Sequence, residues 1–290
     1  MNNPLHAPYY ADRCEVQSVT VTQRTLLARD TYLIRIECPE IAARITPGQF
    51  VMVRLPNCCE PLLGRAFALY DVKCDGGGHA ISIELVFFIV GKITARLAEL
   101  TRGARLEVWG PLGNGFLPRR ADHLVMVAGG IGQTPFLALA KEYLGLRTYG
   151  TPPRHVPKAE HVTLCYGTRS ADLLAGVEDF RALDIDVRIA TDDGSRGHHG
   201  LVTEVLTDVF ASTQLAAHVV CCGPEPMMKA VATLCADQRV PCEVSLETPM
   251  ACGLGICFSC VTRIRDERGQ WDYERTCVAG PVFDAAKIVW

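Results

Sequence analysis

At 290 residues, 49% of them hydrophobic, with a formal net charge of −3, the chain has material for about two domains and a small appendage. It carries no block of like charge, which removes nucleic acid from the expected partners, and no apolar run near the ~20 residues of a spanning helix, which removes the membrane. Residues 1–10 show neither the basic nor the apolar region of an export signal, so the 14 cysteines are expected to remain reduced thiols in the cytoplasm.

From about residue 14 to residue 110, short β-type runs alternate with turn residues. The runs cover 16–21, 32–37, 49–55, 67–72, 81–89 and 106–109, separated by Pro47-Gly48, by Asp75 with Gly76 to Gly78, and by Arg102-Gly103. Strands at this spacing predict a small antiparallel β-barrel, with one helix at 94–100 where Leu97 and Leu100 share a face. Residues 111–118 read as a linker. Beyond it the rhythm becomes strand, glycine turn, helix. Strands are expected at 124–128, 162–166, 186–191 and 218–222, helices near 135–146, 176–183, 202–210 and 226–238, and a surface loop at 148–160. That alternation predicts a doubly wound parallel sheet whose ligands sit at the C-terminal ends of its strands.

On that edge, Gly129-Gly130-Ile131-Gly132 leaves a strand and opens a helix. A pyrophosphate can then approach backbone N–H groups at the positive end of the helix, and a tight turn without a ligand is the plain alternative. Cys222-Gly223-Pro224 stops a second strand there, and the Cys222 thiol either helps to seat a nicotinamide or is a buried structural group. Asp192 and Asp193 end a third strand, either as a satisfied turn or as acceptors for ribose hydroxyls, which would favour NAD over NADP. In the barrel, Arg65 directly precedes an apolar strand. Gly91-Lys92-Ile93-Thr94 marks a helix start where free N–H groups and Lys92 suit a phosphate.

The most specific stretch is the last. Cys252, Cys257 and Cys260 have C-x4-C-x2-C spacing, and Cys277 follows, the plant-type arrangement for a [2Fe–2S] cluster. Gly253 and Gly255 let the backbone curl and turn N–H groups toward sulfur. A zinc-stapled interaction module is the competing reading, although structural zinc more often takes paired C-x2-C knuckles. The segment is too short to bury a core of its own.

Together these motifs resemble the electron-transfer subunit of the NAD-dependent dihydroorotate dehydrogenases, a branch of the ferredoxin–NADP reductase superfamily. The resemblance rests on Arg65-Ala66-Phe67-Ala68, Gly110 to Phe116, Gly129 to Gly132, Thr191 to Ser195, Cys222 to Met227, and above all Ser245 to Cys252 running into the cysteine loop. It implies FAD in a β-barrel domain at 1–118, NAD on an α/β domain at 119–246, and a [2Fe–2S] cluster in a subdomain at 247–290. The family's Arg-Pro-x-Ser flavin motif falls on Arg65, Ala66, Phe67 and Ala68, with the proline and the serine hydroxyl both missing. Its second flavin segment falls on Val86, Phe87 and Phe88, again without the usual polar groups. Its Gly-x-Gly-Thr becomes Gly91, Lys92, Ile93 and Thr94.

The resemblance further implies an FMN-containing dihydroorotate dehydrogenase catalytic subunit as partner, in a heterotetramer serving pyrimidine biosynthesis. Electrons from it would cross the cluster singly, collect on FAD and leave as hydride to NAD, with no protein acid, base or nucleophile required. The same architecture serves as a diaphorase-type subunit of hydrogenases or of ferredoxin:NADP oxidoreductases. That alternative stands beside the first.

Overall fold

The computed structural model describes residues 14–213, 215 and 217–290; the N-terminal stretch inspected for an export signal lies outside them. The first region contains β1 (Glu15–Ala28), β2 (Thr31–Glu37), α1 (Pro39–Arg44), β3 (Phe50–Arg54), β4 (Arg65–Ala68), β5 (Asp71–Cys74), β6 (Ala80–Phe88), α2 (Lys92–Glu99) and β7 (Arg105–Leu112). The strands form one sheet of order β4-β3-β7-β1-β2-β6-β5, antiparallel at every pairing.

The run expected as one strand at 67–72 is two, and the split closes the barrel. β4 pairs with β3 at one end of the sheet and β5 with β6 at the other, and only Leu69 and Tyr70 join them. Their N–H groups donate to the carbonyls of Gln49 and Glu84, stitching the two ends together. Alternate residues point inward, so Val19, Val21, Ile34, Ile36, Val51, Phe67 and Leu85 meet in one buried cluster. The six-residue α1 was not expected; it is too short for helical periodicity to show.

The second region contains β8 (His123–Gly129), α3 (Phe136–Tyr143), β9 (His161–Thr168), α4 (Val177–Arg181), β10 (Asp186–Thr191), β11 (His198–His199), α5 (Val202–Ser212), β12 (Ala217–Cys222), α6 (Glu225–Asp237) and β13 (Cys242–Ser245). From β11 to β13 the sheet is parallel, in the order β11-β10-β9-β8-β12-β13. Every residue of β8 is buried, because helices cover both faces of a central parallel strand.

The last forty residues form a hairpin of β14 (Val261–Arg265) and β15 (Trp271–Arg275), then β16 (Val282–Asp284). β16 returns to pair antiparallel with β13 and completes the second sheet. Phe283, Ala285 and Ile288 thereby join the apolar cluster under α5 and α6. A segment with too little apolar surface for its own core shares its neighbour's.

The barrel and the second sheet also share a core, in which Leu33, Tyr70 and Val86 pack with Phe136, Leu137 and Phe180. Tyr70 donates its hydroxyl to Asp179 at 2.6 Å. Among the described residues no helix is long and apolar enough to cross a membrane.

Candidate functional site

The C-terminal ends of β8 and β12 lie side by side, with Ala128 opposite Cys222. Their glycines have different reasons to be glycine. A Cβ on Gly132 would strike the Cys222 carbonyl, and one on Gly129 would come within 2.8 Å of Pro224. Gly130 alone of the turn has a left-handed backbone (φ +57°) and nothing within 4 Å of a Cβ, so it faces open space. Two glycines let the turn pack against the neighbouring strand end, and one leaves room for a ligand.

That space is a cleft of about 940 Å³. Gly129, Gly130, Ile131, Gly223 and Pro224 line it from the second sheet, and Thr31 and Phe88 from the barrel. Asp192 lines it too. Asp193 does not: its carboxylate accepts from Ser195 N at 2.9 Å and from Ser195 Oγ at 2.5 Å, which holds it below the usual carboxylate range. Of the two acids, then, one faces the cleft and the other caps its own turn. Cys222 stands behind Gly223; desolvation pushes its thiol up to about 12, so it is neutral. Arg169, Glu247 and Thr248 also line the cleft. No local motif marks Arg169; Glu247 and Thr248 lie within the Ser245 to Cys252 motif, but only tertiary folding shows that they reach this edge.

In the barrel, Arg65 is exposed, and its guanidinium contacts only the carbonyls of Leu63 (3.3 Å) and Gly64 (3.0 Å). Among the described residues no carboxylate pairs with it, which leaves its charge available to an anion. Phe67 and Phe87 point into the barrel, their ring centroids 5.9 Å apart, so those two positions offer only backbone to a ligand. Ala66 and Ala68 lie half-buried on the opposite face of β4, and Ala66 packs against the cluster of Phe50, Met52 and Cys260. Val86 is buried in the core shared with the second domain, while Phe88 reaches the cleft.

At α2, Ile93 and Thr94 are buried. Thr94 Oγ1 accepts from the N–H groups of Val90 and Gly91 at 3.0 and 3.1 Å, capping the helix. Gly91 and Lys92 remain exposed, with Lys92 paired to Glu60.

The cysteine loop lies on the outer face of β3 and β7. Gly253, Gly255 and Phe258 all take left-handed backbone (φ +72°, +80° and +58°), which curls the chain around Cys257. Cys260 and Cys277 are buried with Phe50, Met52, Leu112 and Val278, while Cys257 is exposed. The four thiols lie near one another: Cys257 feels Cys252, and Cys277 feels both Cys260 and Cys252. Hydrogen bonds from Ser259 bring the Cys257 thiol down to about 6, and the Cys277 thiol does the same for Cys260. Cys277 is raised in return. Ready deprotonation is what metal ligation needs.

Four thiols gathered in one loop and its flank are the donor set that a [2Fe–2S] centre takes, two to each iron. Leu254 N donates to Cys252 Sγ at 3.3 Å, the kind of N–H contact that tunes a ligand sulfur.

Three family models match the chain: an oxidoreductase FAD-binding domain over residues 18–116, an oxidoreductase NAD-binding domain over 126–233, and the iron–sulfur cluster binding domain of dihydroorotate dehydrogenase B over 247–289. The chain is 36% identical over 266 residues to the dihydroorotate dehydrogenase B (NAD(+)) electron transfer subunit of Desulforamulus reducens, covering 91% of this chain and 95% of that one. It is 30% identical to the subunit of the same name from Fusobacterium nucleatum, covering 94% and 98%. Among solved structures it resembles a chain of an NADH-dependent reduced ferredoxin–NADP oxidoreductase, at 25% identity and TM-score 0.77, covering 94% and 90%. A Neisseria gonorrhoeae ferredoxin NADP+ reductase shares the fold at TM-score 0.61 and 17% identity, covering 77% and 91%.

Proposed function

Because the chain belongs to the family of dihydroorotate dehydrogenase B electron-transfer subunits, we propose that it carries electrons from a catalytic partner through a [2Fe–2S] cluster and FAD to NAD, in pyrimidine biosynthesis. One observation carries the reading: the barrel touches both other sites, and the cluster subdomain itself reaches the nucleotide cleft through Val261, Thr262, Arg263 and Tyr273. The barrel's β3–β7 face bears the cysteine loop, and its Thr31–Phe88 edge opens on the nucleotide cleft. The FAD would supply the conversion between single electrons and a hydride pair.

The chain's own residues bind and orient. Arg65, with Lys92 and the exposed start of α2, holds the flavin pyrophosphate, and Ala66 to Ala68 and Val86 to Phe88 frame the ring system through backbone and apolar contact. Gly130 and Ile131 admit the nicotinamide dinucleotide to the cleft. Asp192 accepts from an adenosine ribose hydroxyl, which selects NAD, and Gly223 and Pro224 with Cys222 behind them wall the nicotinamide end. Cys252, Cys257, Cys260 and Cys277 hold the cluster.

The proposed division is a barrel domain at 1–118, a nucleotide domain at 119–246 and a cluster subdomain at 247–290, supported by the separate family matches. The partner is proposed to be an FMN-containing catalytic subunit in a heterotetramer in the cytoplasm, supported by the relatives' designation as electron transfer subunits and by the 14 cysteines.

Purification from the native cell tests this. A complex with visible flavin and iron–sulfur absorption that reduces NAD with dihydroorotate is expected. A second reading, a subunit of a ferredoxin–NADP oxidoreductase, is favoured by the structural likeness at TM-score 0.77. A partner without FMN and dihydroorotate activity would overturn the first reading and leave the electron-transfer role standing.

A further inference from the structure

Across β4, β3 and β7, Ala66, Met52 and Trp109 form one row, since Met52 pairs with both neighbours and paired residues share a face. The cluster loop sits on this row. A Cβ on Gly253 would lie 2.6 Å from Met52, so the loop backbone is in contact with it. Trp109 Nε1 donates to the carbonyl of Cys252 at 2.9 Å. At its far edge the same indole lies against Gly64, where a Cβ would come within 2.6 Å of Cη2. Gly64 in turn supplies a carbonyl to the Arg65 guanidinium. One rigid ring thus spans the chain from the residue before Arg65 to the first cysteine of the loop.

Resting on the function proposed above, we infer that Trp109 is a positioning residue that fixes the cluster loop at a set distance from the flavin edge of the barrel. Its indole N–H holds the Cys252 carbonyl toward β7. One peptide further along, Leu254 N donates to the Cys252 sulfur at 3.3 Å. An aliphatic side chain at this position would fill the space but donate no hydrogen bond, and the loop would lose the side-chain hydrogen bond that ties it to β7. Separation and hydrogen bonding to sulfur both govern how readily a cluster exchanges an electron.

The test uses the FAD- and iron-loaded protein with NADH as the only reductant. In Trp109→Phe, NADH bleaches the flavin band at the wild-type rate. Bleaching of the cluster slows severalfold relative to the flavin band, because electron transfer weakens as the separation grows. The reduced cluster also shows shifted EPR g-values. Loss of iron with FAD retained supports the same role. Wild-type cluster rate and EPR signal in this variant overturn the inference. Should Trp109→Phe fail to fold, Gly64→Ala decides by the same two readouts, because its new Cβ presses the ring from the other end while the indole N–H remains. If NADH does not reduce the cluster even in the wild-type protein, the proposed function fails instead.

Discussion

Replacing Asp71 by alanine tests how firmly the barrel is clamped to the nucleotide domain. Asp71 on β5 is fully buried, and its Oδ2 lies 2.7 Å from both Lys73 Nζ and Lys141 Nζ, the latter on α3 across the domain boundary. Burial alone would raise this carboxyl, but Lys141 and Lys73 outweigh it and hold it below its ordinary value. Deleting one partner of a buried pair costs about 3–5 kcal/mol. Lys73 is 36% exposed and keeps Glu84 at 3.1 Å, which sets the expected loss near ~3 kcal/mol. At roughly 2 °C per kcal/mol for a chain of this size, Tm falls by about 6 °C.

The depressed carboxyl fixes the sign with pH. Its contribution is complete above the unfolded-state value of about 3.9 and is lost as pH falls through the lower folded-state value. Thermal and urea unfolding of wild type and Asp71→Ala at pH 7, repeated at progressively lower pH, measure this. A difference under about 1 kcal/mol at pH 7, or one that does not shrink on acidification, refutes the reasoning.

The cluster, cleft and turn each give a further expectation. Cys257→Ala, at an exposed thiol, should leave the fold and NADH-to-dye reduction intact while iron content and electron exchange with the partner fall to background. Asp192→Ala should raise the KM for NAD by about tenfold, the loss of one charged hydrogen bond, with little change in kcat. Asp193→Ala, which touches only its own turn, should stay within about a factor of two. Gly132→Ala should lower stability by about 1–3 kcal/mol, because its Cβ meets the Cys222 carbonyl rather than a movable side-chain end; chemical denaturation reads this directly.

Much of the architecture was legible because its signals are local. Alternation of strand and turn residues marked the barrel strands, and the glycine turn after the wholly apolar β8 marked the parallel sheet. The elements that escaped were short or lacked a pattern: α1, β11, β13, β16, and the hairpin of β14 and β15, most of whose residues are exposed or half-buried. The break at Leu69-Tyr70 was invisible for another reason. Nothing in those residues says that one half of an apolar run will pair with β3 and the other with β6; the roll of the whole sheet does.

At the candidate sites the same division holds residue by residue. The spacing of Cys252, Cys257, Cys260 and Cys277, and the chemistry that spacing favours, was set by the sequence itself, because a loop of a few residues confines its thiols to a small volume whatever surrounds it. Which acid faces the cleft, which glycine leaves room for a ligand, and which barrel side chain meets the cysteine loop were decided only by tertiary structure. Asp192 and Asp193 are adjacent in the chain and differ only in what folds against them. Trp109 and Cys252 are 143 residues apart, and nothing local to either predicts their hydrogen bond. Long-range packing alone sets such contacts, through strand register and the closing of the barrel.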